Sequence, residues 1–322
     1  MNLKSLLLAC ASAVALLVPA ASVLAQDYPA KPVKLVSPYA PGGSTGVVAR
    51  LLAKKFGDQT GGSMIVENKP GAASNIGSDM VAKSPPDGYT LLMGTSSLAI
   101  NPTLYKSMSF DPLKDLAPVT ALISSPNVLA VDASLPIRSV KELIDYARAN
   151  PGKLNYGSSG NGATNHMAME MLKTMAGVQL THVPFKGGGE ALAALLGGQI
   201  QVMFNPASTL QQHHNSGRIR MLAVTSEKRM EGLALPAVSE TLPGFESSVW
   251  FALFAPAGTP APIIQKLSAE TNKALADKES LALLKEHGML PLGGTPEQLR
   301  ALLLKDTARW APIVKASGAK VD

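Results

Sequence analysis

An alternation of short apolar strand-like segments with helix-like segments is the feature that most restricts how this chain can fold. In its first part, the hydrophobic pattern predicts strands over 33–37, 64–67 and 90–94, and helices over 47–56 and 75–83. Strands that alternate with helices in this way are typical of α/β proteins with mostly parallel sheets. We therefore predict an α/β fold in which helices flank the sheet.

The second part of the chain repeats this arrangement. Ser139 and Glu142 form a capping-box pattern at the start of one helix. The same periodicity predicts strands over 154–156, 180–183, 201–204 and 221–224, and helices after residue 162 and over 190–196. Thr259-Pro260 and Thr295-Pro296 mark the starts of C-terminal helices.

The length of the chain favours two domains, because about 297 residues remain after residue 25 and exceed one comfortable core. Two extended, serine-punctuated stretches, 123–128 and 247–251, are predicted to cross between the domains. Domain 1 would then comprise 26–125 and 249–322, and domain 2 would comprise 126–248. Two crossings form a hinge with a cleft between the domains.

The N-terminus has the layout of a secretory signal peptide. Lys4 precedes an apolar run over 6–18, and small residues lead to a predicted cleavage after Ala25. Export to the periplasm is expected. Cys10 lies in this leader and is the only cysteine, so the mature chain can form neither a disulfide nor a thiolate metal site.

The charge of the chain argues against a nucleic-acid partner. The net charge is +6, and it becomes +5 once Lys4 is removed with the leader. The basic residues are scattered and form no stripe or polybasic run. His213 and His214 are adjacent and have no partner at metal-ligand spacing, so no metal or other cofactor is expected.

Two glycine- and serine-rich loops between a strand and a helix are the candidate binding loops, over 41–46 and 158–165. In α/β sheets ligands bind beyond the carboxyl ends of the strands. The first N–H groups of a helix point outward there and favour an anion. Each loop could therefore hold one carboxylate. The alternative is that both are ordinary turns whose glycines serve only the backbone.

Residues 42–46 also match G-x-S-x-G, the nucleophile elbow of serine hydrolases. Four residues, 38–41, separate the predicted strand from this motif, whereas a true elbow turns sharply off its strand. A secreted serine hydrolase with Ser44 as nucleophile stays open as an alternative. His166 is interpreted as a hydrogen-bonding residue at a helix start, and Lys186 in "PFKGGGE" is expected near the cleft rim.

Several long motifs resemble the receptor family of tripartite tricarboxylate transporters, also called the Bug family. They include "YAPGGSTGVVAR", "VENKPGAASNIGSDMVAKSPPDGYTLLMG", "YGSSGNGATNHMAMEML" and "HVPFKGGGEALAALLGGQIQVMFN". The resemblance implies a two-domain periplasmic binding protein, type II-like, that closes on a small carboxylate and uses no cofactor. It also implies a monomer that delivers ligand to a membrane carrier, or serves a sensor kinase as its ligand-sensing subunit.

The resemblance further implies where the ligand is held. Backbone N–H groups of the first loop would bind a carboxylate, Tyr39 would be an aromatic residue of that loop, and Ser44 would be both helix cap and ligand contact. The implied ligand-binding residues are Tyr39, Pro41, Gly42, Gly43, Ser44, Thr45, Ser96, Ser97, Ser158, Asn161, Thr164, Asn165 and Asn205.

Two positions depart from the family pattern, because Gly46 and Asn205 stand where an aspartate is usual. Loss of a carboxylate near the cleft removes a like-charge neighbour of a bound anion. Our hypothesis is that this protein prefers a carboxylate without an ammonium group, such as a dicarboxylate, a tricarboxylate or an aromatic acid. Simple drift at a helix-capping position is the alternative.

Overall fold

The computed structural model describes residues 28–230 and 233–319. The predicted leader, 1–25, lies outside the described residues. Within the described part of the chain, none of the helices is both long and apolar enough to cross a membrane.

The described residues form strands and helices in the alternating order that the sequence predicts. The strands are β1 (Val33–Ser37), β2 (Met64–Asn68), β3 (Thr90–Thr95), β4 (Leu116–Asp132), β5 (Asn155–Ser158), β6 (Thr181–Pro184), β7 (Val202–Pro206), β8 (Ile219–Val224), β9 (Ser248–Pro256) and β10 (Leu290–Gly293). The α-helices are α1 (Ser44–Thr60), α2 (Asn75–Ala82), α3 (Ser97–Leu104), α4 (Val140–Ala149), α5 (Thr164–Ala176), α6 (Gly188–Leu196), α7 (Ala207–Asn215), α8 (Ala261–Ala276), α9 (Lys278–Glu286) and α10 (Pro296–Ser317).

The strands form two groups that share β4. In the first group the order is β2-β1-β3-β9-β4, with β1 parallel to both β2 and β3 and with β9 antiparallel to β3 and β4. In the second group β5 is parallel to β6 and β7, while β7 and β8 lie antiparallel to β4. The expected α/β fold with mixed, flanked sheets is therefore confirmed.

The long strand β4 passes from one group to the other at a single point. Its pairing with β9 extends to Pro126 opposite Ser248, and its pairing with β7 begins at Asn127. This change of partners lies inside the stretch 123–128, where the sequence predicts a crossing. The residue limits of the two domains remain a prediction.

Each group of strands has its own apolar core. Leu35, Leu91 and Leu253 are buried in the first, and Leu129, Tyr156 and Phe204 in the second. Helix α10 joins the two halves of the molecule, each half being one group of strands with the helices that pack on it. Its Trp310 is fully buried in a cluster that also contains Met167 of α5. The C-terminal helix therefore packs on both halves and ties them together.

Several elements escape the sequence prediction, namely helices α3, α7 and α9 and strand β10. Helix α3 contains Pro102 in its interior, a residue that usually ends a helix. Strand β10 is four residues long and reads Leu-Pro-Leu-Gly, which lacks the β-branched pattern of a strand. Strand β10 packs against β4, and α3 packs against α10. Contacts between residues distant along the chain therefore determine these two elements. Helix α1 also begins at Ser44, earlier than the predicted residue 47.

The turn before α2 holds three consecutive residues with left-handed backbone, Ala72, Ala73 and Ser74, at φ values of 46°, 45° and 82°. Residues with a Cβ rarely adopt this region because it brings the Cβ close to the backbone. Such strain persists only where the surrounding contacts impose it. Asn101 supplies one such contact, because its Nδ2 donates to the carbonyl oxygen of Ala73 at 3.0 Å.

We expect Ala72→Gly to raise the free energy of unfolding by about 0.5–1 kcal/mol, because glycine adopts a positive φ without the Cβ penalty. Ala72 is exposed, so no buried methyl group is lost. Ala301→Gly, on the exposed face of α10, is the matched control and should cost about 1 kcal/mol. Urea unfolding measures the free energy of unfolding of both variants and of the wild type. A lower value for Ala72→Gly than for the wild type would refute backbone strain at Ala72.

Candidate ligand-binding site

A cavity of about 60 Å³ lies where the two groups of strands meet. A cavity of this size has room for a carboxylate group and a few water molecules. We call it the inner cavity. Its lining residues are Tyr39, Ala40, Gly43, Ser44, Thr45, Thr95, Asn127, Ser159, Ala163, Thr164, Asn165, Gly188, Asn205, Pro206, Thr209, Val249 and Phe251.

Four helices begin at the inner cavity, because the strands that precede them point to the same place. Strands β5, β6 and β7 are mutually parallel in one sheet, so α5, α6 and α7 all start at one edge of it. Strand β1 leads into α1 from the other group. Residues at or beside all four starts line the cavity: Gly43 and Ser44, Ala163 and Thr164, Gly188, and Pro206.

None of the four helix starts has a side chain that caps it. The N-cap residues are Gly43, Ala163, Gly187 and Pro206, and none makes a side-chain capping hydrogen bond. Helices α1, α5 and α7 also carry no acidic residue in the first turn. The first N–H groups of a helix have no partner within the helix, and the helix dipole is positive there. The starts of α1, α5 and α7 therefore give the cavity a positive potential, whereas α6 has Glu190 in its first turn.

The lining residues of the inner cavity are all neutral: no Asp, Glu, Lys, Arg or His is among them. The attraction for an anion must therefore come from backbone and neutral polar groups. Asn127 is 1% exposed, and its Nδ2 atom has no hydrogen-bond partner among the described residues. Leaving a buried donor unpaired is costly, which favours a partner that arrives with the ligand.

Tyr39 is held at the wall of this cavity by its own hydroxyl group. The hydroxyl contacts the Oγ of Ser97 at 2.9 Å and the Oγ1 of Thr95 at 3.4 Å. Burial raises the pKa of Tyr39, so the phenol stays neutral. The side chain thus contributes an oriented aromatic ring with no charge.

Direct hydrogen bonds join the two halves around the inner cavity. The N–H of Ala40 donates to the carbonyl oxygen of Lys186 at 3.3 Å. The hydroxyl of Tyr105 donates to the carbonyl oxygen of Asn161 at 3.2 Å. The Ser96 and Thr164 hydroxyl groups are also hydrogen-bonded to each other. These contacts join the two halves of the molecule around the cavity.

The sequence profile of the "Tripartite tricarboxylate transporter family receptor" matches residues 48–319. The chain belongs to this receptor family. Protein BugT of Bordetella pertussis (strain Tohama I) is 37% identical to the receptor over 306 residues, which cover 94% of each protein. The family membership that the sequence motifs indicate is thus confirmed.

Solved structures of relatives agree with the fold of the receptor. The structure of R. palustris Rpa4515 with adipate has a TM-score of 0.88 and 38% identity, covering 91% of the receptor and 99% of that chain. The periplasmic binding protein BugD has a TM-score of 0.88 and 34% identity, with the same coverage. Because BugD is a periplasmic binding protein, the likeness confirms the predicted two-domain architecture of that class.

The predicted ligand-binding residues of the receptor fall into two groups. Those that line the inner cavity are Tyr39, Gly43, Ser44, Thr45, Thr164, Asn165 and Asn205. Pro41 and Gly42 are exposed and lie outside the lining, where their backbone approaches Gly189 at the start of α6. Asn161 lies at a neighbouring cavity. The interpretation of Ser44 as helix cap is wrong, because Gly43 is the N-cap residue.

Ser96, Ser97 and Ser158 are buried behind the cavity wall and do not line it. Each hydroxyl instead bonds to another side chain: Ser96 to Thr164, Ser97 to Tyr39 and Ser158 to His182. Their polar groups fix the residues and loops around the cavity.

The lining residues Ser159 and Ala163 lie in the predicted loop 158–165 but were not named individually. The lining residues outside both predicted loops and the implied set are Ala40, Thr95, Asn127, Gly188, Pro206, Thr209, Val249 and Phe251. A usable signal existed for two of the regions. The segments 184–188 and 206–207 are further transitions from a strand to a helix, and α6 and α7 start there. From sequence alone, the segment 184–188 is interpreted as a simple turn, because the parallel pairing of β6 with β5 is not yet known.

A buried polar cluster supports the second binding loop from behind. The rings of His166 and His182 stack at 4.0 Å, and the N–H of Gly162 donates to His166 Nδ1 at 3.0 Å. The Nε2 of His182 contacts the Ser158 hydroxyl at 2.6 Å. Burial lowers the pKa of His166 to about 4, and burial together with His166 lowers that of His182 to about 3.

We expect the free energy of unfolding to fall as pH drops from about 6.5 towards 4. The unfolded chain takes up protons on His166 and His182 near pH 6.5, whereas the folded chain keeps both rings neutral. Each histidine contributes up to about 2 kcal/mol between about pH 6.5 and 5. Urea unfolding at about pH 7.5 and pH 5 measures the change. Equal free energies of unfolding of the wild type at the two pH values would contradict this expectation. So would a pH dependence in His166→Gln that is as large as in the wild type.

Proposed function

We propose that this receptor captures a small carboxylate in the inner cavity and delivers it to the membrane carrier of a tripartite transporter. One observation carries the proposal: four uncapped helix starts converge on a cavity whose lining is neutral. Such a site offers N–H donors and positive potential to an anion, and it has no group that would pair with a cation. The adipate bound by Rpa4515 is a carboxylate and supports this assignment.

We infer further that the ligand has no ammonium group beside its carboxylate. Asn205 lines the cavity with a neutral amide, and its Nδ2 donates to the carbonyl oxygen of Gly188 at 3.1 Å. Gly46 lies in the first turn of α1 outside the lining. The preference therefore rests on Asn205, which offers no negative charge to an ammonium group.

Residues 1–25 are proposed to direct export to the periplasm and to be removed there. The leader pattern of Lys4, an apolar run and Ala25 supports this, as does the likeness to BugD, a periplasmic binding protein.

A catalytic role for Ser44 is not supported by the geometry of its loop. Ser44 is the first residue of α1 and lies seven residues beyond the end of β1, whereas a nucleophile elbow follows its strand directly. His166 is 4% exposed and packs in the second half of the molecule. We propose binding without catalysis, and labelling of Ser44 by a fluorophosphonate probe would overturn this.

A thermal-shift screen of refolded, ligand-free protein tests the proposed function. Each small carboxylate is compared with its primary amide and with its α-amino derivative. A ligand at about 100 times its Kd should raise the Tm by about 5 °C, because it binds only the folded state. A shift with amides or amino acids and none with plain carboxylates would contradict the proposal.

A further inference from the structure

A second cavity of about 480 Å³ adjoins the inner one. We call it the outer cavity. Tyr39 and Ser159 line both cavities, so these two residues stand between them. The first half of the molecule contributes residues 71–74 and Tyr105, and the second half contributes 159–161 and 184–186. The outer cavity is therefore part of the same cleft and continues away from the four helix starts.

One wall of the outer cavity is the strained turn, Ala72 to Ser74. Strained backbone of this kind clusters at sites that clamp ligands, where the surrounding structure imposes it. Asn101 fixes the turn through the carbonyl oxygen of Ala73 and through Asn75, whose Oδ1 accepts from the same Nδ2 at 2.7 Å. The wall is thus held in place before any ligand arrives.

The chemistry of the outer cavity differs from that of the inner one. Tyr39, Tyr105, Pro184 and Phe185 supply aromatic and apolar lining. The hydroxyl of Tyr105 is already used in its hydrogen bond to Asn161. This lining suits the hydrocarbon or aromatic middle of a ligand.

Lys186 is the one charged residue among the described residues that line either cavity. Its backbone is fixed on both sides, since its N–H donates to Glu190 Oε2 at 3.1 Å and its carbonyl oxygen accepts from Ala40. Lys186 is exposed, and none of the ion pairs found among the described residues involves it. The ammonium group can therefore pair with an anion in the outer cavity.

We propose that the outer cavity is a second subsite, which holds the far carboxylate of an elongated dicarboxylate beside Lys186. The first carboxylate lies at the four helix starts, and the apolar middle of the ligand lies along Tyr39, Tyr105 and Phe185. This inference rests on the proposed function, because it assumes that the inner cavity binds a carboxylate.

Calorimetric titration of refolded protein with heptanedioate and heptanoate tests the second subsite. The two probes share one carboxylate and the chain length, and they differ only at the far end. Wild type should bind heptanedioate about tenfold more tightly, and Lys186→Gln should remove most of this difference while leaving heptanoate unchanged. Lys153→Gln, an exposed lysine outside both cavities, is the matched control and should change neither affinity.

The outcomes separate the two claims. If heptanoate binds as tightly as heptanedioate, or if Lys186→Gln leaves their ratio unchanged, the second subsite is overturned and the proposed function stands. If neither acid binds and no linear mono- or dicarboxylate of other lengths does, the proposed function fails together with the subsite. A preference for heptanedioate that shrinks as salt is added supports the charge pairing at Lys186.

Discussion

Ser44→Pro is expected to weaken carboxylate binding by about tenfold to a hundredfold while the protein stays folded. Proline is favoured at the first position of a helix, and Ser44 holds that position in α1. Gly43 precedes it with extended backbone, φ −95° and ψ −177°, which a following proline tolerates. The substitution removes one N–H donor, and a hydrogen bond to a charged group contributes about 1.5–3 kcal/mol.

Two further variants at this position separate the causes of the expected loss. Ser44→Val keeps the N–H and adds side-chain bulk, so it measures the effect of volume. Ser44→Ala keeps the N–H and removes the hydroxyl, so it measures the contribution of the side chain. Calorimetry should rank Ser44→Pro as clearly the weakest of the three. Equal affinities of Ser44→Pro and Ser44→Val would refute a role for the backbone N–H.

Asn205→Asp should lower the affinity for a carboxylate by about a hundredfold near neutral pH. The change is nearly isosteric, but it puts a negative charge into a cavity that is lined only by neutral residues. Like charges brought together at a desolvated interface cost several kcal/mol. The new carboxylate would also face the carbonyl oxygen of Gly188, which now accepts from Asn205 Nδ2.

The same variant tests the preference against an ammonium group. Asn205→Asp should bind an α-amino acid better, relative to its des-amino analogue, than the wild type does. Asn215→Asp makes the same chemical change on an exposed residue at the end of α7 and should leave both affinities unaltered. An unchanged ratio in Asn205→Asp would show that this position does not set the preference.

The sequence predicts the strands and helices well where the hydrophobic pattern is regular. Strands β1 and β3 and helices α2 and α6 form within a few residues of their predicted positions, because their apolar faces pack in buried hydrophobic clusters. The change of partners along β4 also lies inside a stretch, 123–128, that the sequence marks as extended. Helix α3 and strand β10 were not predictable, because contacts from distant residues determine them.

The site was predictable only in part, and the reason is geometric. Ser96, Ser97 and Ser158 lie at strand ends, where a polar side chain can face the cleft or a neighbouring element with equal ease. Their partners are 24 to 68 residues away along the chain, as with Ser96 and Thr164. Asn127 sits inside a long strand and carries no loop signal. Its position in the cavity follows only from the change of partners along β4.

The measurement that tests the central claim most directly is calorimetric titration of refolded receptor with one carboxylate and with its primary amide. The carboxylate is the one with the largest thermal shift in the screen. Convergent N–H groups donate hydrogen bonds to an anion, but they have no acceptor for the NH₂ of an amide. The amide should therefore bind about a hundredfold more weakly or not at all. Equal affinity for the two compounds would contradict an anion site built from helix starts.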